Sequence, residues 1–159
     1  MTHFRTTRRV AHSADNMFAL VADVERYPEF VPLCERLILK EREPHAEVDV
    51  LVAEMTVAYR FLRESFVTRV TLRPEQRHIL VEYVDGPFRY LENRWTFTPV
   101  GEHSCEIGFD LAYEFRSRAL QMLMGQVFDR AFRKFVTAFE ARADQIYGKA
   151  DWRIRTENV

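Results

Sequence analysis

The sequence predicts an α+β fold in which a strongly curved antiparallel sheet wraps around a long C-terminal helix. Three observations lead there. Six alternating or β-branched segments follow one another between Cys34 and Phe115, and short connections between consecutive strands favour antiparallel pairing. From Ser117 to Tyr147 there is no proline, and apolar residues recur at helical spacing. A short strand and a helix precede both. A flat sheet with the helix lying on one side is the alternative arrangement of the same elements. Either way the apolar faces of sheet and helix bury each other.

FRTTRRV alternates as a short strand, with Phe4, Thr6, Arg8 and Val10 on one face. Ser13 offers an N-cap for ADNMFALVADVERY, where Met17, Leu20, Val21 and Val24 keep helical spacing. That helix ends in DVERYPEFVPLC, which Pro28 and Pro32 mark as a loop or broken turn. The strands then read LILKERE, AEVDVLVAEMTVAY, ESFVTRVTLR, HILVEYVD, YLENRWTFTPV and SCEIGFDLAYEF. Glu43-Pro44-His45, Pro74-Glu75-Gln76, Asp85-Gly86-Pro87 and Gly101-Glu102-His103 supply turns between them. The final helix carries Leu120, Leu123, Met124, Val127, Phe128, Ala131, Phe132, Phe135, Val136, Phe139, Ala143 and Ile146 on a wide apolar face, with Gly148 as its C-cap. Residues 1–148 are expected to form one domain. The remainder, 149–159, shows no clear period and is expected to be a mobile tail.

Composition narrows the functional field. The 159 residues are 47% hydrophobic and 30% charged, a globular balance. The formal net charge of -1 gives no whole-molecule pull towards nucleic acid, so DNA is not expected as a partner, although local basic patches remain open. Cys34 and Cys105 form no C-x-x-C and read as reduced thiols. The N-terminus lacks the apolar core of a signal peptide. No apolar run reaches the ~20 residues of a spanning helix. A soluble cytoplasmic protein, with peripheral contact at the inner membrane left open, is the expectation.

Most catalytic signatures are missing. The five glycines form no phosphate-cradling loop. The five histidines are scattered without metal-ligand spacing and read as surface or turn residues, so no metal site is expected. Cys34 beside the proline loop could act as a nucleophile, but a thiol packed at a strand start is the plainer reading. An enzyme would need polar groups poised inside the fold; the candidates are Glu82, Tyr83, Arg94 and Tyr113. Glu82 and Arg94 should point outward if their apolar neighbours point inward.

What the chain has in excess is apolar material. Leu91, Trp95 and Phe97 share one strand face with Asn93. Cys105, Ile107, Phe109, Leu111, Tyr113 and Phe115 share another. Ordinary core is the default account of both stripes. Met122 and Met124 beside Gly125 add adaptable material, and a helical glycine calls for a packing reason such as close approach of a ligand or loop. The stretch ALQMLMGQVF carries no charge, and Arg116, Arg118, Arg130, Arg133 and Lys134 flank it. Such a patch can rest on an anionic membrane surface or another partner; the alternative is that these cations solvate the outer helix face.

In this order, YPEFVPLC, VDGPFRYLENRWTF and VFDRAFRKFVTAFEARADQIYG resemble the coenzyme Q-binding protein branch of the START/polyketide-cyclase superfamily. That branch includes bacterial proteins described as ribosome-association toxins. The resemblance covers roughly Phe4 to Gly148. It implies a helix-grip fold enclosing a hydrophobic cavity, with 27–32 and 85–88 as loops near its mouth. It also implies non-catalytic binding of ubiquinone or another polyisoprenoid lipid, as a carrier or chaperone supporting respiration. No cofactor is implied beyond that bound lipid.

Strand parity and the resemblance together nominate ligand-contacting residues. From the proline loop they are Tyr27, Phe30, Val31 and Pro32; from the strands, Pro87, Phe88, Leu91, Trp95, Phe97, Phe109 and Leu111. From the helix they are Leu123, Met124, Val127, Phe128 and Phe132. Whether the proline loop lids a cavity or simply tucks Phe30 into the core stays open. One buried prenyl unit could contribute up to about 4 kcal/mol, at ~0.8 kcal/mol per methylene. A full-length tail exceeds a pocket of ~300–1,000 Å³, so part of it would project or be met at a membrane. The competing function is ribosome association, for which Arg5, Arg8, Arg9, Arg116 and Arg118 could supply a basic surface.

Overall fold

The computed structural model of the protein describes residues 1–148. The expectation of a mobile tail over 149–159 lies outside the described residues. Seven strands form a single antiparallel sheet: β1 Thr2–Val10, β2 Cys34–Pro44, β3 Asp49–Tyr59, β4 Leu62–Arg73, β5 His78–Asp85, β6 Phe88–Gly101 and β7 Ser104–Phe115. The sheet order is β1-β7-β6-β5-β4-β3-β2, so β2 to β7 run as a meander and β1 returns to close on the last strand. The sheet curves around the C-terminal helices, as the sequence predicts, rather than lying flat beneath them.

Alternation sets the inner face. Along β7 every second residue from Cys105 to Phe115 is buried. Along β6, Leu91, Asn93, Trp95 and Phe97 face inward. A register shift between Phe88 and Tyr90 lets Phe88 and Leu91 both turn inward although they are three apart. On β1, Arg8 shares the face of Phe4, Thr6 and Val10 but is exposed, its guanidinium reaching Glu140 of the C-terminal helical segment at 2.7 Å.

The helices depart from the sequence reading in two places. α1 spans Ala14–Ala22, capped by Ser13 Oγ accepting from the Asn16 amide at 3.1 Å. It stops earlier than the apolar spacing predicts, and Val24–Glu29 forms a 3-10 turn. Pro28 bars its predecessor Tyr27 from α geometry, and the shorter turn satisfies Arg26 through Asp23 instead. The predicted single long helix is two: α2 Arg118–Arg133 and α3 Phe135–Tyr147. At Lys134 the amide donates to the Ala131 carbonyl at 3.1 Å, a tighter pattern than the α-helical one. Thr137 Oγ1 bonds the Lys134 carbonyl at 3.0 Å. The apolar spacing continues through this break, so periodicity alone could not reveal it.

Gly86 turns the chain from β5 into β6 with φ +142°, and a Cβ there would meet Phe66 Cβ at 2.6 Å. Gly86→Ala is therefore expected to destabilise the protein by about 1–3 kcal/mol, readable as a lower urea midpoint with unchanged slope.

Candidate ligand-binding cavity

Between sheet and helices lies a cavity of about 70 Å³. β2 contributes Leu37, β3 Ala53 and Met55, β4 Phe66, Thr68 and Val70, and β5 Ile79 and Val81. Leu91, Asn93 and Trp95 come from β6, and Phe109 and Leu111 from β7. Val24 and Tyr27 of the 3-10 turn and Phe132, Phe135 and Phe139 of the helices complete the wall. The strand side chains converge because parity on the concave face is preserved in register: Val70 pairs with Val81, Val81 with Asn93, and Asn93 with Leu111.

Of the nominated residues, Tyr27, Leu91, Trp95, Phe109, Leu111 and Phe132 line this cavity. The rest are placed elsewhere. Phe30 packs edge-on against Phe139 at 5.0 Å, and Val31 is buried beside it. Pro32 and Val127 line an outer groove of about 350 Å³ with Leu33, Tyr59, Arg130 and Lys134. Phe97 stacks on Trp95 and meets Phe18 edge-on, turned towards α1. Pro87 and Phe88 are buried, Phe88 amid Phe66, Tyr83, Tyr113, Phe115 and Phe128. Met124 and Phe128 close a much smaller void with Leu33, Val57 and Leu62, and Leu123 is 56% exposed. The helical part of the wall is centred on the α2–α3 junction rather than on α2, which explains why the earlier part of the apolar stripe misses it. At Gly125 the group a Cβ would meet is the Gln121 side chain, which folds over it.

The larger omission in the sequence reading is β3 to β5. Met55, Phe66, Val70, Ile79 and Val81 sit on alternating positions that were visible in those segments, but nothing distinguished them from plain core. Thr68 and Asn93, each 8% exposed, are the polar members of the wall apart from the Tyr27 hydroxyl. Asn93 Oδ1 accepts from Trp95 Nε1 at 2.7 Å, and Asn93 Nδ2 donates to the Asp110 carbonyl at 3.0 Å.

The proline segment is held down rather than free. Tyr27 packs edge-on against Phe139 at 5.3 Å and its hydroxyl donates to the Val21 carbonyl. Burial, with Cys34 and Asp23 nearby, pushes its phenol far above the usual range, so it stays neutral. Arg142 of α3 donates to Glu29 at 2.7 Å and lies over the Phe30 ring at 5.1 Å. Both readings of the loop therefore coexist: its aromatics are core, and Tyr27 also walls the cavity. Hydrogen bonds from Arg142 and then Arg26 hold the Glu29 carboxyl below its ordinary value. A depressed pKa means the clasp is intact above the ordinary carboxylate range and is lost as pH falls through the folded value. Acidification from neutral to below that value is thus expected to raise amide exchange across 24–31, an effect Arg142→Met should abolish.

No acid–base pair stands in the wall. Arg94 bonds Glu92 on the outer face at 2.8 Å, and Tyr83 accepts from the Phe88 amide at 3.2 Å. Burial pushes the thiols of Cys34 and Cys105 up to about 11, against an activated-nucleophile reading of Cys34. A thiol reagent at neutral pH is expected to label both cysteines in denaturant and neither, within minutes, in the native protein. His12, expected at the surface, is buried and lies 2.7 Å from Asp144, tying the β1–α1 turn to α3. Among the described residues no cluster of three His, Cys, Asp or Glu could hold a metal, and no helix is long and apolar enough to cross a membrane.

The nominated surface cations are all exposed but do not form one patch. Arg116 and Arg118 border one groove with Met1, Arg89 and Glu114. Arg130 and Lys134 border the groove at Pro32. Arg133 pairs with Asp129 at 3.1 Å and covers Phe4. The tip of the β3–β4 hairpin presents Phe61, 90% exposed, and α2 presents Met122, 86% exposed, on a further groove with Thr2, Tyr113 and Asp129. Phe61 was missed because a lone aromatic in a turn carries no periodic signal.

Residues 10–140 match the family model described as polyketide cyclase / dehydrase and lipid transport. The chain is 38% identical over 141 residues to the ribosome association toxin RatA of Vibrio cholerae, covering 88% of this chain and 94% of that protein. It is 28% identical over 152 residues to the mitochondrial coenzyme Q-binding protein COQ10 homolog B of Xenopus laevis, covering 93% of this chain and 60% of that protein. An 18 kDa protein of Caulobacter crescentus, known from its solution structure, superposes with a TM-score of 0.75 at 35% identity, over 93% of this chain and 99% of that one.

Proposed function

The chain belongs to the polyketide cyclase / dehydrase and lipid transport family, and from that premise we propose that it binds a hydrophobic ligand of the polyisoprenoid-quinone class without transforming it, as a carrier or chaperone. One observation carries this reading: an apolar cavity at the centre of the fold whose wall holds no acid–base pair. The name of the Xenopus relative, a coenzyme Q-binding protein, supports the ligand class.

The size of the cavity sets a condition on loading. About 70 Å³ is roughly two waters' share of liquid volume, whereas an apolar guest of benzene size needs ~150 Å³. The wall must therefore move outward to admit a ring. Phe132 belongs to α2 while Phe135 and Phe139 belong to α3, so a rotation at the Lys134 break would separate them. α2 also carries the exposed Met122 and Leu123, and its end supplies Arg130 and Lys134 to the groove at Pro32. This arrangement supports loading at an anionic bilayer, where apolar tips insert and cations meet phosphates.

The test is detergent-free purification from the source cells, then native mass spectrometry and organic extraction. A copurifying isoprenoid establishes the reading and identifies the head group. An empty protein that also gives no Trp95 response to short- or long-tailed quinones sinks it.

A second reading, ribosome association, is supported by the name of the Vibrio relative. Arg9, Arg116 and Arg118 are exposed cations for such a contact, whereas Arg5 and Arg8 are engaged by Asp110 and Glu140. Salt-sensitive cosedimentation with ribosomes, lost when Arg116 and Arg118 become Glu, would establish it. Cosedimentation indifferent to both salt and substitution would remove it.

A further inference from the structure

We infer that Thr68 and Asn93 form a polar recognition point inside the cavity, selecting a neutral ligand whose buried end carries a carbonyl oxygen. The inference rests on the hydrophobic-ligand reading and narrows it. Asn93 uses its carbonyl for the Trp95 indole and one amide hydrogen for the Asp110 carbonyl. A primary amide has two donors, so one N–H of Asn93 is left at the wall. Thr68 lies in the same wall, is 8% exposed, and its hydroxyl has no partner among the described residues. Both strand positions are fixed by register: Thr68 faces Tyr83 from one side of β5, and Asn93 faces Val81, two residues along, from the other.

The chemistry of these groups decides the class. Buried donors without acceptors are unfavourable, and a hydrocarbon would leave both unmet while excluding water. A carboxylate is ruled against by the opposite defect: no Lys, Arg or His stands in the wall, so its charge would be buried unpaired. A neutral carbonyl accepts from the Asn93 amide or, after a χ1 rotation, from the Thr68 hydroxyl, and brings no charge. The remaining wall is apolar and suits the rest of an amphiphile. The ligand therefore enters carbonyl end first, with its aliphatic tail trailing towards the opening.

The test compares three probes by displacement of an apolar fluorescent dye: geranyl-benzoquinone, geranylbenzene and a fatty acid of matched carbon number. The quinone is expected to bind about tenfold or more tightly than either alternative, as for sites built to satisfy a polar ligand group. Thr68→Val, nearly isosteric and two strands away from the Trp95 hydrogen bond, should shrink the advantage over geranylbenzene severalfold, with geranylbenzene itself bound no more weakly than before. Asn93→Leu should shrink it further, with near-ultraviolet circular dichroism checking that Trp95 keeps its environment. Equal affinity for quinone and geranylbenzene overturns the recognition point and leaves hydrophobic binding standing. A tighter fatty acid overturns it as well. An undiminished advantage in both variants overturns the assignment to these residues. Binding of none of the three overturns the hydrophobic-ligand reading and this inference with it.

Discussion

Phe139→Ala is expected to cost about 3–5 kcal/mol of stability and, in the fraction that folds, to open an internal site for benzene-sized guests. Phe139 is fully buried and joins three parts of the molecule. Its ring meets Tyr27 at 5.3 Å and Phe30 at 5.0 Å on the proline segment, and Trp95 at 5.2 Å on the sheet. Truncation removes those contacts at once and leaves a void continuous with the existing cavity, since Phe139 already forms part of its wall. A void lined by apolar groups stays dry and accepts apolar guests. Urea titration of the variant with and without benzene should show a large loss of stability, partly restored by the guest. A loss below about 1 kcal/mol would mean that the segment closes over the gap, contrary to a rigid wall.

Phe88→Ala is expected to be of similar size, again about 3–5 kcal/mol, but without the rescue by benzene. Phe88 stacks on Phe115 at 4.8 Å and meets Phe66, Tyr83, Tyr113 and Phe128 edge-on. Each such pair adds roughly 0.5–1.5 kcal/mol beyond area burial, although neighbouring terms do not sum. Phe88 does not itself line the main cavity, although its neighbour Phe66 does, and its site is crowded by rings that can collapse inward. The two substitutions thus discriminate the cavity wall from the plain core, a distinction that burial alone does not make. Equal rescue of both by benzene would show that the two regions are one compartment.

The sheet, its antiparallel order and the inward parity of β6 and β7 were legible because each rests on period-two alternation between obvious turns. The cavity was legible only as a resemblance. Six nominated residues reach its wall, yet Phe88, Phe97, Met124 and Phe128 are equally apolar and equally regular and do not. Periodicity reports which face is buried, not where along that face packing is incomplete. The break at Lys134 was hidden for a related reason: Phe132, Phe135, Val136 and Phe139 hold helical spacing through it. Thr68 was hidden because a threonine in a strand is ordinary until its neighbours are known.

The position of β1 has a consequence for how the chain is made. Thr2 to Val10 pair with Tyr113 to Cys105 and with no other strand. A nascent chain lengthens by ~5–20 residues per second, so on the order of a hundred residues of separation implies a wait of roughly 5–20 s before that partner is translated. During it the first strand has no edge to join, and its row of amides is open to strangers. Arg5, Arg8 and Arg9, exposed along it in the finished protein, are the kind of charge that keeps a waiting strand from pairing with another chain. Replacing them would thus be felt first during synthesis, as aggregation of the newborn protein, before any change in the stability of the mature one.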